Sequence, residues 1–418
     1  MIVHKFGGAA VKDANGVKNL SEILRTRPET QVVVISAFGK TTNNLEELTS
    51  YIYSRDEKSF NEKLKTIRDY HYNLMYGLFA ENNKIFIEIE QLFKTLENSY
   101  DFDHKGYDHL YDQVVSIGEL LSTKVVQAFL VQEEIPCQWL DIRKFLETDS
   151  TYREAVVNWD KSEKLISEGF KCTDGSIVTQ GFIAGDEYGH STTLGREGSD
   201  YTAAILGNIL NSQQVVTWKD VAGVLNADPR YFDSARKLKE ISYQEAIELA
   251  YYGAKIIHPK TIRPLIDKNI PLYVNSFLAP ESTGTMISKF PSFNEKIPIY
   301  IMKEKQMLIS IQPRDFSFIF EEQLSSIYKK FAVHRVKVNL MQNSAITFTV
   351  SIDAENPRVS QLLEDLKKDY KVLYNKGLAL ITIRYYTEDA MNDLLKNRKV
   401  LVEQRSRHTA QFIIEDQK

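Results

Sequence analysis

Short β-branched runs alternate with helix-length amphipathic segments over the first two-thirds of the chain, and this alternation leaves few folds open. Residues 2–6 (IVHKF) and 31–36 (QVVVIS) flank an amphipathic stretch, residues 16–25. A strand, a helix and a second strand in this order are typical of a parallel βαβ unit. Further strand-like runs lie at 138–140, 176–180, 214–218 and 271–275. We therefore predict an α/β fold with a mainly parallel central sheet over residues 1–285.

Two regions of the chain depart from this pattern. Residues 44–134 are charged, aromatic and helically periodic, which predicts a helical subdomain covering the sheet. The segment 286–297 is predicted as a linker, because the chain becomes glycine-poor there. Beyond it, the pattern reads β, α, β, β, α, β over 298–376 and begins again over 377–418. This repeat predicts two small α+β modules of the ferredoxin-like type, the second of them truncated.

Composition excludes several classes of protein. The 418 residues are 43% hydrophobic and 26% charged, which is typical of a well-packed globular chain. The net charge of −4 gives no positive field that would attract nucleic acid or anionic lipid. Cys137 and Cys172 form no CxxC pair, so we expect neither a disulfide framework nor a zinc site. The low cysteine content predicts a cytoplasmic location. No apolar run approaches the roughly 20 residues of a membrane helix, so we expect no membrane partner.

Lys5, Gly7 and Gly8 form the first candidate site. They place a lysine and two glycines at the end of a predicted strand. Glycines let backbone N–H groups approach an anion closely, and the ammonium group supplies charge. Ser36 and Thr42 follow the next strand, at the carboxyl end where α/β sheets bind ligands. Ordinary turns with solvated side chains explain both stretches equally well, so the motifs alone leave the choice open.

The stretch from residue 180 to 204 is the richest in polar groups. Arg196 provides a planar fork for a carboxylate or phosphate, and Ser199 and Asp200 come just before a helical run that begins at Tyr201. The free N–H groups at the start of that helix provide a second anion anchor. Ser199 or Asp200 would serve equally well as a simple helix cap, a role that is compatible with ligand binding.

Five further charged residues are candidates. Lys219 and Asp220 end a strand and Arg230 follows a turn, which suggests a pocket for nucleotide phosphates. Lys255 lies just beyond the end of a predicted helix. Glu119 is a lone acid among apolar residues of a predicted helix, where it could meet an ammonium group. A solvated side chain is the alternative for each of them.

Taken in order, these stretches closely resemble the aspartate kinases of the amino acid kinase family. The match runs through KFGGAAV, VVVISAFGKTTNNL, VSIGELLST, VTQGFIAG, TTLGREGSDYTAA, WKDVAGVLNADPR and YYGAKIIHP. It covers most of residues 1–285, and the ordered set of motifs carries it. The C-terminal repeat resembles the paired ACT modules that sense an amino-acid end product in that family. The resemblance implies an amino-acid-kinase sandwich followed by ACT modules.

The same resemblance implies an activity and a set of site residues. The activity is transfer of the γ-phosphoryl group of ATP, bound with Mg²⁺, to the β-carboxylate of L-aspartate, the first step of lysine, threonine and methionine biosynthesis. Catalytic roles fall on Lys5, Asp200 and Lys255, and no protein metal ligand is implied. Substrate-binding roles fall on Ser36, Thr42, Glu119, Arg196 and Ser199, with Glu119 on the amino group of aspartate and Arg196 on its α-carboxylate. Nucleotide-binding roles fall on Lys5, Gly7, Gly8, Lys219, Asp220, Arg230 and Lys255.

Several residues depart from the family pattern. Ala9 and Ala10 replace the usual Thr-Ser after the paired glycines, which removes two hydroxyl groups. Glu197 stands where glycine is usual, Lys219 where threonine is usual and Leu225 where tyrosine is common. These changes bear on nucleotide affinity more than on the type of reaction, because the principal charged residues are retained.

Two alternatives remain open at this point. One is a kinase for another carboxylate or a carbamate, such as acetylglutamate. The other is a catalytically silent amino-acid sensor that uses its ACT modules. The resemblance also implies a homodimer formed through the ACT modules, and lysine or threonine as the effector.

Overall fold

The computed structural model describes residues 1–27, 30–171, 175–254, 257–292, 296–315 and 317–415. Cys172 and Lys255 lie outside the described residues. The described chain divides into two compact units. The first unit takes its residues from 1–224, 237–247 and 256–294, and the second from 225–236, 248–255 and 295–418.

The strands of the first unit are β1 Ile2–Phe6, β2 Gln31–Ile35, β3 Cys137–Leu140, β4 Ser176–Gln180, β5 Ile183–Gly185, β6 Ser191–Thr193, β7 Gln214–Lys219, β8 Glu240–Ser242, β9 Leu272–Ser276 and β10 Thr285–Ser288. Its helices are α1 Ala14–Arg25, α2 Thr41–Ser54, α3 Glu57–Tyr76, α4 Ile85–Asn98, α5 Tyr107–Gln132, α6 Trp159–Gly169, α7 Gly198–Ile209 and α9 Pro259–Ile266. Helix α8, Tyr243–Tyr252, begins in the first unit and ends in the second.

The central sheet of the first unit has the strand order β3-β4-β2-β1-β7-β9-β10-β8. The six strands from β3 to β9 run parallel, and β10 pairs with β9 in the antiparallel sense. Phe6 lies opposite both Ile35 and Trp218, so β1, β2 and β7 end level with one another. The predicted mainly parallel sheet is confirmed, and its register brings the chain segments after these strands to one edge.

Helix α1 shows why the sequence between β1 and β2 folds as it does. The side chain of Asp13 accepts a hydrogen bond from the backbone N–H of Gly16 at 2.9 Å and so caps the helix. Val17, Leu20 and Leu24 recur at helical spacing and are buried in the core. This burial fixes α1 as the connection between two parallel strands.

Helices α2 to α5 occupy most of residues 41–132, and α5 is the longest of them. An 18-residue window of α5 has a mean hydropathy of 1.5, so by length and composition this helix could cross a membrane. The helix contains no uninterrupted apolar run of about 20 residues, because polar residues such as Glu119 divide it. In the fold, 78% of that window is buried, which is the pattern of a core helix.

The second unit contains β11 Ile299–Pro313, β12 Val338–Asn343, β13 Phe348–Asp353, β14 Tyr370–Arg384, β15 Val400–Arg405, β16 Thr409–Glu415, α10 Glu321–Val333, α11 Val359–Asp369 and α12 Glu388–Leu395. Its antiparallel sheet has the order β12-β13-β11-β14-β16-β15. The apolar residues of α10 and α11 pack with β11 and β13 in one buried cluster, and those of α12 pack with β14 and β16 in another.

The division of the C-terminal region differs from the predicted boundaries. Residues 286–288, predicted as the start of a linker, belong to β10 and pair with β8 and β9. Strand β14 is continuous, and Gly377 within it has a φ of +68°. The first part of β11, residues 299–303, pairs with residues 380–384. The start of the predicted first module thus adds a strand to the second, and residues 225–236 and 248–254 also belong to this unit.

Candidate active site

The segments that follow β1, β2 and β7 form the centre of the candidate site. Because these strands are parallel and end level, Gly7 and Gly8 lie at the same sheet edge as Ser36 and Asp220. Ligands of open α/β sheets bind at this carboxyl edge, where backbone N–H groups and loop side chains are not used by the sheet. Gly7, Gly8, Ser36 and Asp220 are therefore collected at the edge where open α/β sheets bind ligands.

Asp200 stands between two lysine ammonium groups at this edge. Its Oδ1 lies 2.9 Å from Lys5 Nζ, and its Oδ2 lies 3.6 Å from Lys219 Nζ. The Thr217 hydroxyl donates to Oδ1 at 3.0 Å. The side chains of Lys5 and Asp200 are only 10% and 4% exposed. One carboxylate thus fixes two cations in a site nearly closed to water.

The charge state of Asp200 follows from its neighbours. Burial alone would raise the pKa of this carboxyl group, because a charged form loses its hydration in the protein interior. The positive charges of Lys5 and Lys219, with hydrogen bonds from Lys5 and Thr217, outweigh burial and lower the pKa to about 2. Asp200 is therefore ionised at neutral pH, which leaves the three groups with a net charge of about +1.

Helix α7 begins earlier than the sequence suggests. It starts at Gly198 rather than near Tyr201, so Ser199 and Asp200 lie in its first turn. The residue before it, Glu197, has φ 54° and ψ 30° and makes no capping bond with its side chain. The cap role considered for Ser199 or Asp200 is therefore not the one they have. Their side chains are available to other partners in the site.

The end of β2 is joined to the first turn of α7, which carries Asp200, through Ser199. The Ser36 hydroxyl donates to the Ser199 hydroxyl at 2.9 Å, which brings the end of β2 against the first turn of α7. Ser199 also lies close to the backbone of Gly181, and this contact requires a glycine, because a Cβ on Gly181 would lie 2.5 Å from the Cβ of Ser199. The turn after β4 thus packs directly against the first turn of α7.

Glu119 enters the site from the buried side of α5. Its Oε1 accepts a hydrogen bond from the backbone N–H of Ala37 at 3.4 Å, and its Oε2 has no hydrogen-bond partner. Burial raises the pKa of this carboxyl group to about 8, and the Ala37 hydrogen bond only partly opposes the shift. A buried carboxyl group with an unused oxygen next to the sheet edge is suited to receive a cationic ligand group.

Gly8 lies between the cluster around Asp200 and the segment that contacts Glu119. Its carbonyl oxygen accepts from the backbone N–H of Gly39 at 3.0 Å. A Cβ on Gly8 would lie 2.5 Å from the carbonyl oxygen of Ala37, so any larger residue would displace the segment that contacts Glu119. Gly7 is less crowded, since its nearest side-chain neighbour would be Lys5 Nζ at 3.5 Å.

The other predicted residues are not drawn into this cluster. Thr42 lies in the first turn of α2, and Arg196 and Asp220 are exposed at the sheet edge or beside it. In the described part of the chain, no hydrogen bond or ion pair holds the Arg196 guanidinium group. Arg230 belongs to the second unit and pairs with Asp228 at 2.6 Å. Lys255 lies outside the described residues.

Three groups that shape the site were not identified from the sequence. They are Thr217, the backbone N–H of Ala37 and Gly181. Thr217 could have been found, because it lies two residues before Lys219 on β7 and so on the same face of the strand. The other two act through backbone geometry, for which the local sequence has no recognisable signal.

The chain matches the amino acid kinase family over residues 1–276 and therefore belongs to it. It is 29% identical to the lysine-sensitive aspartokinase 3 of Escherichia coli K12 over 396 residues, which cover 92% of this chain and 86% of that relative. The predicted membership of this family is confirmed.

Two crystal structures of E. coli aspartokinase III are similar to this chain over its whole length. One is a complex with lysine and aspartate, described as the T state, with a TM-score of 0.84. The other is a complex with aspartate and ADP, described as the R state, with a TM-score of 0.82. Each is 27% identical, and the match covers 100% of this chain and 96% of the other. The predicted fold, a kinase domain followed by ACT-type modules, is confirmed.

Proposed function

We propose that this chain is an aspartate kinase, which phosphorylates the β-carboxylate of L-aspartate with ATP and releases ADP and 4-phospho-L-aspartate. The observation that carries the proposal is the cluster of Lys5, Lys219 and Asp200 at the sheet edge, linked by hydrogen bonds and close contacts to the buried carboxyl group of Glu119. One end offers positive charge to phosphates, and the other offers an acceptor to a substrate ammonium group. The similarity to aspartokinase III, whose structures hold aspartate and ADP, supports the same assignment.

The proposed reaction requires neutralisation of negative charge rather than a general base. The β-carboxylate is already ionised at neutral pH, so its oxygen attacks the γ-phosphorus while the bond from that phosphorus to the β–γ bridging oxygen breaks and ADP leaves with the electron pair. Bringing two anions together is the main obstacle. Lys5 and Lys219 offset the charge of the transferring group, and Asp200 holds both ammonium groups in place.

On the substrate side, Glu119 accepts the ammonium group of aspartate and Arg196 pairs with the α-carboxylate. The Ser36 and Ser199 hydroxyls add donors beside the reacting carboxylate, and Thr42 adds a third from the first turn of α2. A substrate whose amine is acylated carries no positive charge to pair with Glu119. The arrangement therefore favours a free α-amino acid over acetylglutamate.

On the nucleotide side, the backbone N–H groups of Gly7 and Gly8 face the phosphates with Lys5 and Lys219. Asp220, Arg230 and Lys255 are assigned to the nucleotide by their positions in the family motifs. Mg²⁺ enters with ATP as part of the substrate and screens the charge of its phosphates. Asp200 is committed to its two lysines, which agrees with a metal held by the nucleotide.

We also propose that the second unit regulates the enzyme by binding an amino acid, with lysine the first candidate and threonine the second. The lysine-sensitive relative and the lysine complex of aspartokinase III support lysine. Exposed apolar side chains of this unit, such as Phe318, Phe320 and Leu373, support a homodimer formed through the ACT modules. Light scattering of the purified protein tests the dimer, and a monomer at micromolar concentration would contradict it.

ADP release from MgATP tests the proposed activity. L-aspartate is compared with acetylglutamate, carbamate and no acceptor, each with and without added lysine or threonine. We expect turnover with L-aspartate alone, suppressed by one of the two effectors. Turnover with acetylglutamate or carbamate instead would identify another kinase of the family. Amino-acid binding without any turnover would identify a sensor.

A further inference from the structure

Asp112 joins helix α5 to the end of strand β6 and to the loop that contains Arg153. Its Oδ1 accepts from the Thr193 hydroxyl at 2.8 Å, and its Oδ2 accepts from the Thr193 backbone N–H at 2.8 Å. The backbone N–H of Arg153 lies 3.1 Å from Oδ2 and 3.2 Å from Oδ1. A fully buried side chain thus binds three donors from two other segments of the first unit.

The hydrogen bonds of Asp112 are charge-assisted at neutral pH and above. Burial raises the pKa of this carboxyl group to about 6, and the hydrogen bonds from Thr193 and Arg153 limit the rise. Asp112 is therefore mostly ionised at neutral pH and almost completely ionised near pH 8. An ionised acceptor makes stronger hydrogen bonds than a neutral one. Because this carboxylate has no water to replace its donors, the junction with Thr193 and Arg153 is a strong one.

Arg153 in turn contacts the turn that carries Arg196. Gly195 has a φ of +75°, and a Cβ on it would lie 3.1 Å from the Arg153 carbonyl oxygen, so the two segments are in close contact. The backbone N–H of Gly198 donates to the Gly195 carbonyl oxygen at 3.0 Å and closes the turn around Arg196. Within the described ranges, no hydrogen bond or ion pair holds the Arg196 guanidinium group. Its position therefore depends on the backbone of this turn.

Asp112 also lies on the same helix as Glu119. The two residues are seven positions apart, which is about two turns of α5, so their side chains leave the same face of the helix. Both are buried. The helix fixes the position of Glu119, and Asp112 fixes the turn of Arg196 against that helix. The junction at Asp112 thus sets the spacing between Glu119 and Arg196.

We propose that Asp112 is a positioning residue for the substrate: by holding the turn of Arg196 against α5, it sets the affinity for L-aspartate. This role rests on the proposed function, which assigns Glu119 to the ammonium group of aspartate and Arg196 to its α-carboxylate. These two groups are bonded to one carbon, so the residues that bind them must keep a fixed spacing. ATP should be little affected, because Asp200 keeps its own bond to Lys5.

Asp186 provides a matched control for Asp112 in the same β5–β6 hairpin. It is also a buried acid, and it accepts from the backbone N–H groups of Tyr188 and His190 at 3.0 and 2.8 Å and from the Ser150 hydroxyl at 3.0 Å. These bonds hold the turn between the two strands, at the opposite end of the hairpin from the bonds of Asp112. Asp112→Asn and Asp186→Asn therefore remove the same charge from the two ends of one hairpin.

Asp112→Asn should raise the Kd and the KM for L-aspartate about tenfold at pH 8, the size expected for one lost charge-assisted hydrogen bond. The ATP KM should stay within about twofold of the wild type. Asp186→Asn should lower the melting temperature by a similar amount but leave both KM values within about twofold. Unchanged aspartate affinity in Asp112→Asn, equal losses for aspartate and ATP, or an equal loss of aspartate affinity in Asp186→Asn would each overturn the proposal.

Thr193→Val and Thr193→Ser test the same role if Asp112→Asn does not fold. Valine matches the shape of threonine but removes the hydroxyl group that donates to Asp112, whereas serine retains it. We expect the Val variant to raise the aspartate Kd about three- to fivefold. The Ser variant should stay within about twofold of the wild type, although it loses a buried methyl group. Equal aspartate affinities in the two variants, or the reverse order, would overturn the proposal.

Hydrogen exchange of peptides covering residues 150–155 and 191–197 provides a measurement that does not depend on activity. We expect faster exchange of the Arg153 and Thr193 amides in Asp112→Asn, because both amides lose an ionised acceptor. Unchanged exchange of both would show that Asp112 does not hold these segments and would overturn the proposal.

Calorimetric titration with L-aspartate separates this role from the proposed activity. A wild-type protein that binds L-aspartate without phosphorylating it would refute the aspartate kinase proposal, while the Kd values of the variants would still decide the role of Asp112. A wild-type protein that phosphorylates L-aspartate, with an unchanged Kd in Asp112→Asn, would overturn this role alone. A wild-type protein that does not bind L-aspartate would overturn both.

Discussion

Asp200 accepts from Lys5 at 2.9 Å although the two residues lie on different elements, the first turn of α7 and the strand β1. The side chains of both are almost fully withdrawn from water. Lys219 approaches the same carboxylate from β7. Because one acid pairs with two cations, the position of each ammonium group depends on Asp200, and the proposed phosphoryl-transfer site is a single electrostatic unit.

Asp200→Asn removes the charge of this unit while keeping its shape. Two ammonium groups would then face each other without a carboxylate, so we expect kcat/KM for ATP to fall by about a hundredfold. Stability should also fall, by about 3 kcal/mol, since a buried charge loses its partner. Asp69→Asn on the exposed face of α3 is the matched control and should change neither quantity. Steady-state kinetics and urea unfolding measure both, and a loss below threefold in kcat/KM would contradict the role of Asp200.

Lys5 and Lys219 should not act independently. We expect Lys5→Met to lower kcat by about a hundredfold or more and Lys219→Thr to lower it several-fold, because the closer cation dominates. Since both contact Asp200, the double variant should lose less than the product of the two single losses. A double-mutant cycle on kcat measures this coupling, and strictly multiplicative losses would show that the two lysines are not one unit.

Because Glu119 is proposed to bind the ammonium group of aspartate, we expect aspartate binding to depend on pH. Its pKa of about 8 means that the carboxyl group is largely protonated at neutral pH, and only the ionised form pairs with an ammonium group. The aspartate KM should therefore fall by up to about tenfold per pH unit between pH 6 and 8 and level off above that range. The ATP KM, measured in the same series, should lack this slope. Glu119→Gln should remove the slope and raise the aspartate KM, and a slope that persists in this variant would exclude Glu119 as its source.

Ionisation of Glu119 lowers the stability of the fold, although it is expected to strengthen aspartate binding. The folded pKa of Glu119 lies above its ordinary value of 4.5, so between pH 4.5 and 8 the folded state binds more protons than the unfolded state. The free energy of unfolding from this group therefore falls as pH rises through that window. Glu119→Gln should be the more stable protein at pH 8 in the absence of aspartate.

The paired glycines should respond differently to the same substitution. Gly8→Ala would place a Cβ 2.5 Å from the Ala37 carbonyl oxygen, so we expect a lower melting temperature and weaker aspartate binding. The Cβ of Gly7→Ala would lie 3.5 Å from the Lys5 ammonium group and 4.0 Å from the Trp218 carbonyl oxygen, which are ordinary contacts, so this variant should fold normally while hindering the approach of phosphate. Thermal unfolding with KM values for both substrates separates these effects. Equal melting temperatures for the two variants would show that the close approach at Gly8 is not required.

His71 should contribute to acid unfolding. Burial lowers the pKa of this core histidine from 6.5 to about 4, although its Nδ1 bonds to the Ile67 carbonyl oxygen. Between pH 6.5 and 4 the unfolded state binds the additional proton, so the free energy of unfolding falls by about 3 kcal/mol as pH is lowered through that window. His71→Leu should flatten this dependence, and the same change at the exposed His408 should not. Urea unfolding at several pH values measures both.

The sequence predicts the sheet better than it predicts the site. The bounds of β1, β2 and β4 follow from β-branched runs, because buried parallel strands need little besides apolar side chains. The start of α7 was missed because Glu197 adopts a backbone conformation usually reserved for glycine. The proximity of Lys219 to Asp200 depends on the register of β7 beside β1, with Lys5 opposite Thr217, which no local pattern reports.

The boundaries of the second unit also depend on long-range contacts. Gly377 suggests a break between two strands, but β14 continues through it with a left-handed residue. Residues 225–236 are separated in sequence from the ACT modules by three strands of the kinase sheet, β8, β9 and β10, yet they belong to the second unit. Burial between distant segments decides both features, and periodicity within a short window cannot report it.

Trapping of the reaction product with hydroxylamine tests the proposed activity most directly, because an acyl phosphate reacts with hydroxylamine to give a hydroxamate. We expect the protein with MgATP and L-aspartate to form aspartyl β-hydroxamate in step with ADP, and Lys5→Met to lose this product while it still folds. ADP release without hydroxamate, or no product from a folded wild-type protein that binds both substrates, would contradict the assignment of this chain as an aspartate kinase.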